Sequence, residues 1–251
     1  MVRALEDVSF DVRSGEFLTI VGPSGCGKST LLSIVAGLTA LTGGTLVRDS
    51  SVEQPGGIGM VFQKPVLLQW RTVLENILMP AEILGTDRAL AEARALALIE
   101  LVGLTGFEHA WPHQLSGGMA QRASICRALL TDPPLLLMDE PFGSVDAITR
   151  ERLNLELQRI WSSTGKTVVF VTHSIEEAVL LSDRAIVMTS RPGKVAEIID
   201  NQLPRPRNLE TMDSPLFSQY CGHIRHMLVP GSNDPAESLA DAPGSRKDQF
   251  A

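Results

Sequence analysis

Residues 22–30 read GPSGCGKST, a stretch with too little side chain to contribute to a core. Its backbone amides are left free to face a ligand, and the ligand that suits a concave row of N–H groups is an anion. The run before it, GEFLTIVG (residues 15–22), is apolar and β-branched and stops at glycine, as a buried parallel strand does. The run after it, STLLSIVAGL (residues 29–38), has helical spacing with Gly37 near its end. Strand, glycine loop and helix in that order are the setting that the phosphate-loop pattern GxxxxGK[ST] requires.

The rest of the chain extends this unit. Strands are expected at GIGMVF (57–62), LLLMDE (135–140), KTVVFVTH (166–173) and RAIVMTS (184–190), with helical patterns between most of them. Such alternation predicts an α/β fold with a mainly parallel sheet covered on both faces. Residues 70–130 interrupt it, because DRALAEARALALIELVGL (87–104) and GMAQRASICRALL (118–130) are helical with no clear strand between. That region reads as a helical lobe inserted into the α/β core.

At 251 residues and 44% hydrophobic, the chain can bury a substantial core. A net charge of -7 argues against a protein that coats nucleic acid, so any phosphate is bound locally. The 3 cysteines, Cys26, Cys126 and Cys221, lack metal-ligand pairing and are expected as free thiols. No stretch approaches the roughly 18 apolar residues that span a bilayer, and a chain soluble on its own is expected. Residues 231–251, GSNDPAESLADAPGSRKDQFA, have the composition of a disordered tail, and 206–230 suit a short helical extension.

Three places carry chemistry. In the glycine loop, the amides and the following helix N-terminus form a nest for a β-phosphate. Lys28 reaches the β- and γ-phosphates, and the Ser29 hydroxyl ligates Mg²⁺. LLLMDEP (135–141) ends a strand in two carboxylates at the edge where open α/β sheets bind ligands. Asp139 suits the Mg²⁺ shell and Glu140 suits polarising a water, on a strand expected beside the phosphate loop. LSGGMAQR (115–122) starts a helix at Ser116, Gly117 and Gly118, a second anion-binding terminus that lies away from the first. Two phosphate sites facing different ways suggest a head-to-tail dimer with the ligand sandwiched between copies. Ser174 followed by Glu177 reads as a capping box for the helix after 173.

GPSGCGKST, Gln63 in VFQ, LSGGMAQR, LLLMDEP, Asp146 in GSVD and His173 in VTH occur in the order and approximate spacing of the ATP-binding cassette family. The chain resembles the nucleotide-binding subunit of an ABC transporter over roughly residues 1–205, with the helical subdomain at about 70–130. The resemblance implies a P-loop NTPase (RecA-like) core, ATP and Mg²⁺ as cofactors, and ATPase activity coupled to transport. It implies that Gly22, Pro23, Ser24, Gly25, Cys26, Gly27, Lys28, Ser29 and Thr30 hold the phosphates. Gln63 then senses the γ-phosphate and Mg²⁺, and Ser116, Gly117 and Gly118 close on the partner's ATP. His173 binds the γ-phosphate and holds the attacking water, while Asp146 crosses the dimer interface.

VFQKPVLLQWRTVLENI and MDEPFGSVDAITR are similar to a narrower group, the importer ATPases for nitrate, sulfonate, taurine and related small anions. The implied partners are a second copy, separate integral-membrane permeases docking near residues 63–76, and indirectly an extracytoplasmic solute-binding protein, with no nucleic acid. The implied place is the cytoplasmic face of the inner membrane. The resemblance also puts the family's first strand and its adenine-stacking aromatic upstream of Met1, so a truncated N-terminal strand region with weakened adenine stacking is expected. A weakly active cassette and an ABC ATPase in a non-transport role are the alternatives. Ala120, Cys126 and the SVD sequence depart from the family pattern without touching a group that must ionise or ligate. A thiol at Cys26 facing the phosphate nest is expected to be alkylated unless MgATP covers it.

Overall fold

The computed structural model describes residues 3–143 and 145–228; the tail expected at 231–251 lies outside them. Among the described residues the strands are β1 (Phe17–Val21), β2 (Ile58–Val61), β3 (Leu135–Asp139), β4 (Thr167–Thr172), β5 (Arg184–Met188) and β6 (Val195–Asp200). They form one sheet in the order β2-β3-β4-β1-β5-β6. The helices are α1 (Lys28–Val35), α2 (Ser50–Glu53), α3 (Val73–Leu84), α4 (Arg88–Leu101), α5 (Gly117–Leu129), α6 (Ala147–Thr164), α7 (Ile175–Leu181), α8 (Leu209–Met212) and α9 (Pro215–Leu228).

β1 and β5 are buried at every position, and β4 at every position after Thr167, as central strands covered on both faces must be. Every pairing is parallel except that of β6 with β5. This gives the mainly parallel α/β architecture expected from the alternation. β6 was not anticipated because it is a one-sided edge strand: in VAEIID only Ile199 is buried, so no apolar run marks it. β3 ends beside the phosphate loop, as expected, with Asp139 Oδ1 accepting from Ser29 Oγ at 2.9 Å, yet it does not pair with β1. β4 intervenes, pairing with β1 on one side and β3 on the other.

The helical lobe does not stand apart from the sheet. Ile77, Leu98, Ile99 and Ile125 of α3, α4 and α5 share one apolar cluster with Phe17, Met138, Val168 and Phe170 from one sheet face. α3 starts at a reciprocal cap, Thr72 Oγ1 accepting from the Glu75 amide and the Glu75 carboxylate from the Thr72 amide. Pro80 lies inside it, which breaks the sequence pattern of a continuous helix. The opposite face is covered by Leu31 and Leu32 of α1, packed with Leu18, Ile20, Val169 and Met188. A third cluster joins Val21, Ala178 and Val187 to Phe217, Cys221 and Ile224 of α9, whose i, i+4, i+7 spacing makes one buried stripe. The segment expected as a short helical extension is therefore two helices, the second seated on the end of the sheet. In residues 3–16 a bridge joins Leu5 to Gly193, the Glu16 carbonyl accepts from the Val168 amide at 2.9 Å, and the Arg184 guanidinium meets Asp11 Oδ2 at 3.2 Å.

Candidate active site

Because the central strands run parallel, their C-terminal ends reach one edge, and register decides which residues meet there. Val21 lies opposite Thr172, and Asp139 opposite Val171. The residues that follow, the glycine loop, Glu140 and His173, are thereby placed at a common edge. β2 ends level with β3 through the pair Val61–Met138, which brings Gln63 to the same place.

The glycine loop wraps the start of α1. Gly27 caps the helix with φ 108° and no side-chain hydrogen bond, and the first turn carries no acid, so its amides face outward unopposed. A Cβ on Gly27 would lie 2.8 Å from Leu5 Cδ2 and 3.0 Å from the Ala4 carbonyl oxygen, so glycine is required on steric grounds as well. Lys28 is buried, its ammonium donating to the Gly22 and Pro23 carbonyls at 2.8 and 3.0 Å. Cys26 is 1% exposed and packs into the apolar cluster beneath the loop. That corrects the expectation of an accessible thiol: the side chain points into the fold and only the backbone faces the nest.

Glu140 gathers the remaining groups. His173 Nδ1 lies 2.9 Å from its Oε2, Gln63 Nε2 donates to the same oxygen at 3.5 Å, and Lys28 Nζ is 3.8 Å from Oε1. Its backbone sits at φ 43°, a region that non-glycine residues occupy at a cost of about 1–3 kcal/mol and mainly at functional sites. Ser29 Oγ donates to Asp139 Oδ1 at 2.9 Å. α1 packs over both β4 and β3, so Ser29 reaches Asp139 across the intervening strand. Burial raises the Asp139 carboxyl above its usual range, with the Glu140 charge adding to it, against Ser29 and Lys28.

Ser116 and Asp146 stand apart from this group in the single chain. Ser116 Oγ accepts from the Met119 amide at 3.3 Å and caps α5. Asp146 Oδ1 accepts from the Thr149 amide at 3.0 Å and caps α6, an interaction that lowers its pKa. Gly118 faces α6, where a Cβ would meet Thr149 Cγ2 at 3.3 Å. Among the described residues neither cap hydrogen-bonds to Lys28, Ser29, Gln63, Asp139, Glu140 or His173.

Two contacts were missed. Gly193, in the turn between β5 and β6, touches the phosphate loop so closely that a Cβ would fall 2.1 Å from the Cys26 carbonyl oxygen. The only sequence signal is a Pro-Gly pair after a strand. The capping box expected at Ser174 is only half made: Ser174 Oγ accepts from the Glu177 amide at 3.2 Å, but the Glu177 side chain goes to Thr172 instead. Beside the loop, Thr30 and Leu31 line a cavity of about 500 Å³ together with Leu5, Val8 and residues 39–43.

The arrangement can hold an anion at the amide nest and set a carboxylate, an imidazole and an amide at one point beyond it. The comparisons agree. The sequence matches the ABC transporter family over residues 5–143. The uncharacterized ABC transporter ATP-binding protein MJ0412 of Methanocaldococcus jannaschii is 48% identical over 90% of this chain and 85% of its own length. The taurine import ATP-binding protein TauB of Rhizobium johnstonii is 47% identical over 90% of this chain and 89% of its own. The dimeric structure of MJ0796, a bacterial ABC transporter cassette, superposes with a TM-score of 0.67 at 34% identity over 78% of this chain and 90% of that one. A post-hydrolysis dimer of the same cassette, bound to ADP and Pi, gives the same values. Glycine nest, strand-end carboxylates and these likenesses lead to one assignment: the chain belongs to the ABC transporter family and is one of its ATP-binding ATPases.

Proposed function

We propose that two copies of this chain clamp MgATP between the Gly22–Thr30 loop of one and the Ser116–Gly118 helix start of the other, and drive import of a small anion, best a sulfonate such as taurine, through separate permeases. The observation that carries this reading is the convergence of Lys28, Gln63 and His173 on the Glu140 carboxylate, 3.8, 3.5 and 2.9 Å away. The relative named for taurine import and the resemblance of the 61–77 segment support the substrate class. Among the described residues no helix is long and apolar enough to cross a membrane, so the pathway would belong to other subunits. The exposed Val66 and Trp70 offer a docking surface for them.

The residues fit a magnesium ion. A hydroxyl and a carboxylate side by side, with no cluster of three His, Cys, Asp or Glu side chains among the described residues, match an ion that shares its shell with phosphate oxygens. Ser29 and Asp139 would hold it, with Gln63 beside them, and it would supply charge neutralisation at the phosphates. Lys28 would exchange its contacts with the Gly22 and Pro23 carbonyls for phosphate oxygens. Glu140 would accept the proton of the attacking water, and His173 would fix that water's position.

Import is tested in membrane vesicles carrying the chain with the permease subunits that co-purify with it. ATP-dependent uptake of taurine, an alkanesulfonate or nitrate is expected; ATP hydrolysis without uptake of any of them removes the substrate class. Asp139 gives a pH test. Its raised pKa means that the ionised form is disfavoured in the free fold, so stability from this group falls as pH rises through that pKa. A cation relieves the penalty only where the carboxylate is ionised. Thermal stabilisation by MgATP should therefore grow as pH rises through the Asp139 pKa, and Asp139→Asn should raise the melting temperature of the free protein while removing most of the magnesium-dependent gain. Gly193→Ala should push the Cys26 carbonyl and lower stability by about 1–3 kcal/mol, the range for overpacking, with weaker ATP binding in a fluorescence titration.

A further inference from the structure

The Thr172 hydroxyl straddles His173. It accepts a hydrogen bond from the Ser174 amide at 3.0 Å and donates to a Glu177 carboxylate oxygen, pinning the backbone on both sides of the histidine. The Glu177 amide donates in turn to Ser174 Oγ at 3.2 Å. The other oxygen of Glu177, whose side chain is 7% exposed, faces Arg150 of α6, with Nε 3.9 Å away. Arg150 Nη2 donates to the Val145 carbonyl at 3.0 Å, and the Arg150 amide to the Asp146 carbonyl at 2.9 Å. One buried carboxylate thus touches the loop carrying His173 and, through one guanidinium, the turn carrying Asp146.

The contact is one step short of closed. Arg150 Nε and Asn154 Oδ1 are buried without a hydrogen-bond partner, and 3.9 Å is longer than a hydrogen bond. A shift of about an ångström would satisfy Arg150 Nε on Glu177. Burial pushes the Glu177 carboxyl up, opposed chiefly by Thr172 and then by Arg150, so removing either partner leaves a buried acid with less compensation.

We propose that Glu177 is a positioning residue that holds His173 against Glu140 and couples that loop, through Arg150, to the turn bearing Asp146. The proposal rests on the ATPase site described above and adds a route by which partner contact at Asp146 is felt at His173. The buried Arg207, by contrast, donates to the Val179 and Ser182 carbonyls at the end of α7.

Glu177→Gln keeps an acceptor for Thr172 and loses the charge facing Arg150; Glu177→Ala loses both. For ATP hydrolysis, Glu177→Gln should lower kcat about tenfold with KM within about twofold, and Glu177→Ala on the order of 100-fold, the scale for displaced catalytic groups. Arg150→Ala combined with Glu177→Gln should be no slower than Arg150→Ala alone. Multiplicative losses, or a folded Glu177→Gln protein with wild-type kcat, overturn the coupling. Histidine ring NMR of the nucleotide-free protein is the second readout: the His173 resonance should move in Glu177→Ala while that of His109 stays. If wild type hydrolyses no ATP, the site reading fails on its own, and an unmoved His173 resonance still overturns this proposal.

Discussion

Glu140→Gln should bind ATP normally and turn it over on the order of 10²–10⁴ times more slowly, the range for loss of a positioned base. Glutamine keeps the size of the side chain and can still accept from Gln63 and meet His173, so the shape around it, at 3.5 and 2.9 Å, is preserved. What disappears is the negative charge 3.8 Å from Lys28 and the capacity to take a proton. Both wild type and variant share the unusual φ of 43° at this position, so backbone strain cancels from the comparison. With the charge gone, repulsion of a γ-phosphate falls, and ATP-bound protein should accumulate as a dimer in size-exclusion chromatography with light scattering. Phosphate release near the wild-type rate would remove Glu140 from the base role and move attention to His173.

Much of this was legible in the sequence because parallel strands put function at their ends. Once GEFLTIVG, LLLMDE and KTVVFVTH are read as buried parallel strands, the residues that follow them must share an edge, and Lys28, Asp139, Glu140 and His173 do. What pattern cannot give is lateral order. Nothing in the apolar runs of β1 and β3 says that β4 lies between them, since strand order is fixed by how crossovers pack and not by local propensity. Nor does pattern give side-chain direction: Cys26 lies in the loop sequence, yet its thiol is 1% exposed. Glu177 fits a helix-start pattern, and only the three-dimensional contact with Thr172 shows that its carboxylate serves the strand before it. Edge strand β6 and α3 escaped for opposite reasons, one too polar to mark a strand and the other broken by Pro80.

Replacing Arg207 by alanine should lower stability by about 3 kcal/mol, although it lies beyond the part of the chain that carries the recognised motifs. α7 is short, and beyond Ala178, whose carbonyl takes the Ser182 amide, the carbonyls of its last turn have no helical partners. Arg207, 3% exposed, serves them together with Asn201 and Gln158: its Nη1 donates to the Val179, Leu180 and Ser182 carbonyls at 3.0, 3.1 and 2.7 Å, and Nε and Nη2 to Leu203 at 3.3 and 3.1 Å. Burial pushes its pKa down to about 10, so it stays charged at neutral pH and sits at the negative end of the helix dipole. Truncation takes both donors from the Leu203 carbonyl, leaves the Val179 and Ser182 carbonyls to Asn201 Nδ2 alone and empties the space of a buried side chain, steps on the order of 1–3 kcal/mol each. At roughly 2–4 °C per kcal/mol for a domain of this size, thermal unfolding followed by circular dichroism should move down by roughly 6–12 °C. Lysine keeps the charge but has no fork to span the Val179 and Leu203 carbonyls, so Arg207→Lys should recover only part of the loss. An unchanged melting temperature in Arg207→Ala would mean that the apolar cluster of Ala178, Val179 and Leu180, with Asn201 and Gln158 on the same carbonyls, holds α7 and that the guanidinium contributes nothing net.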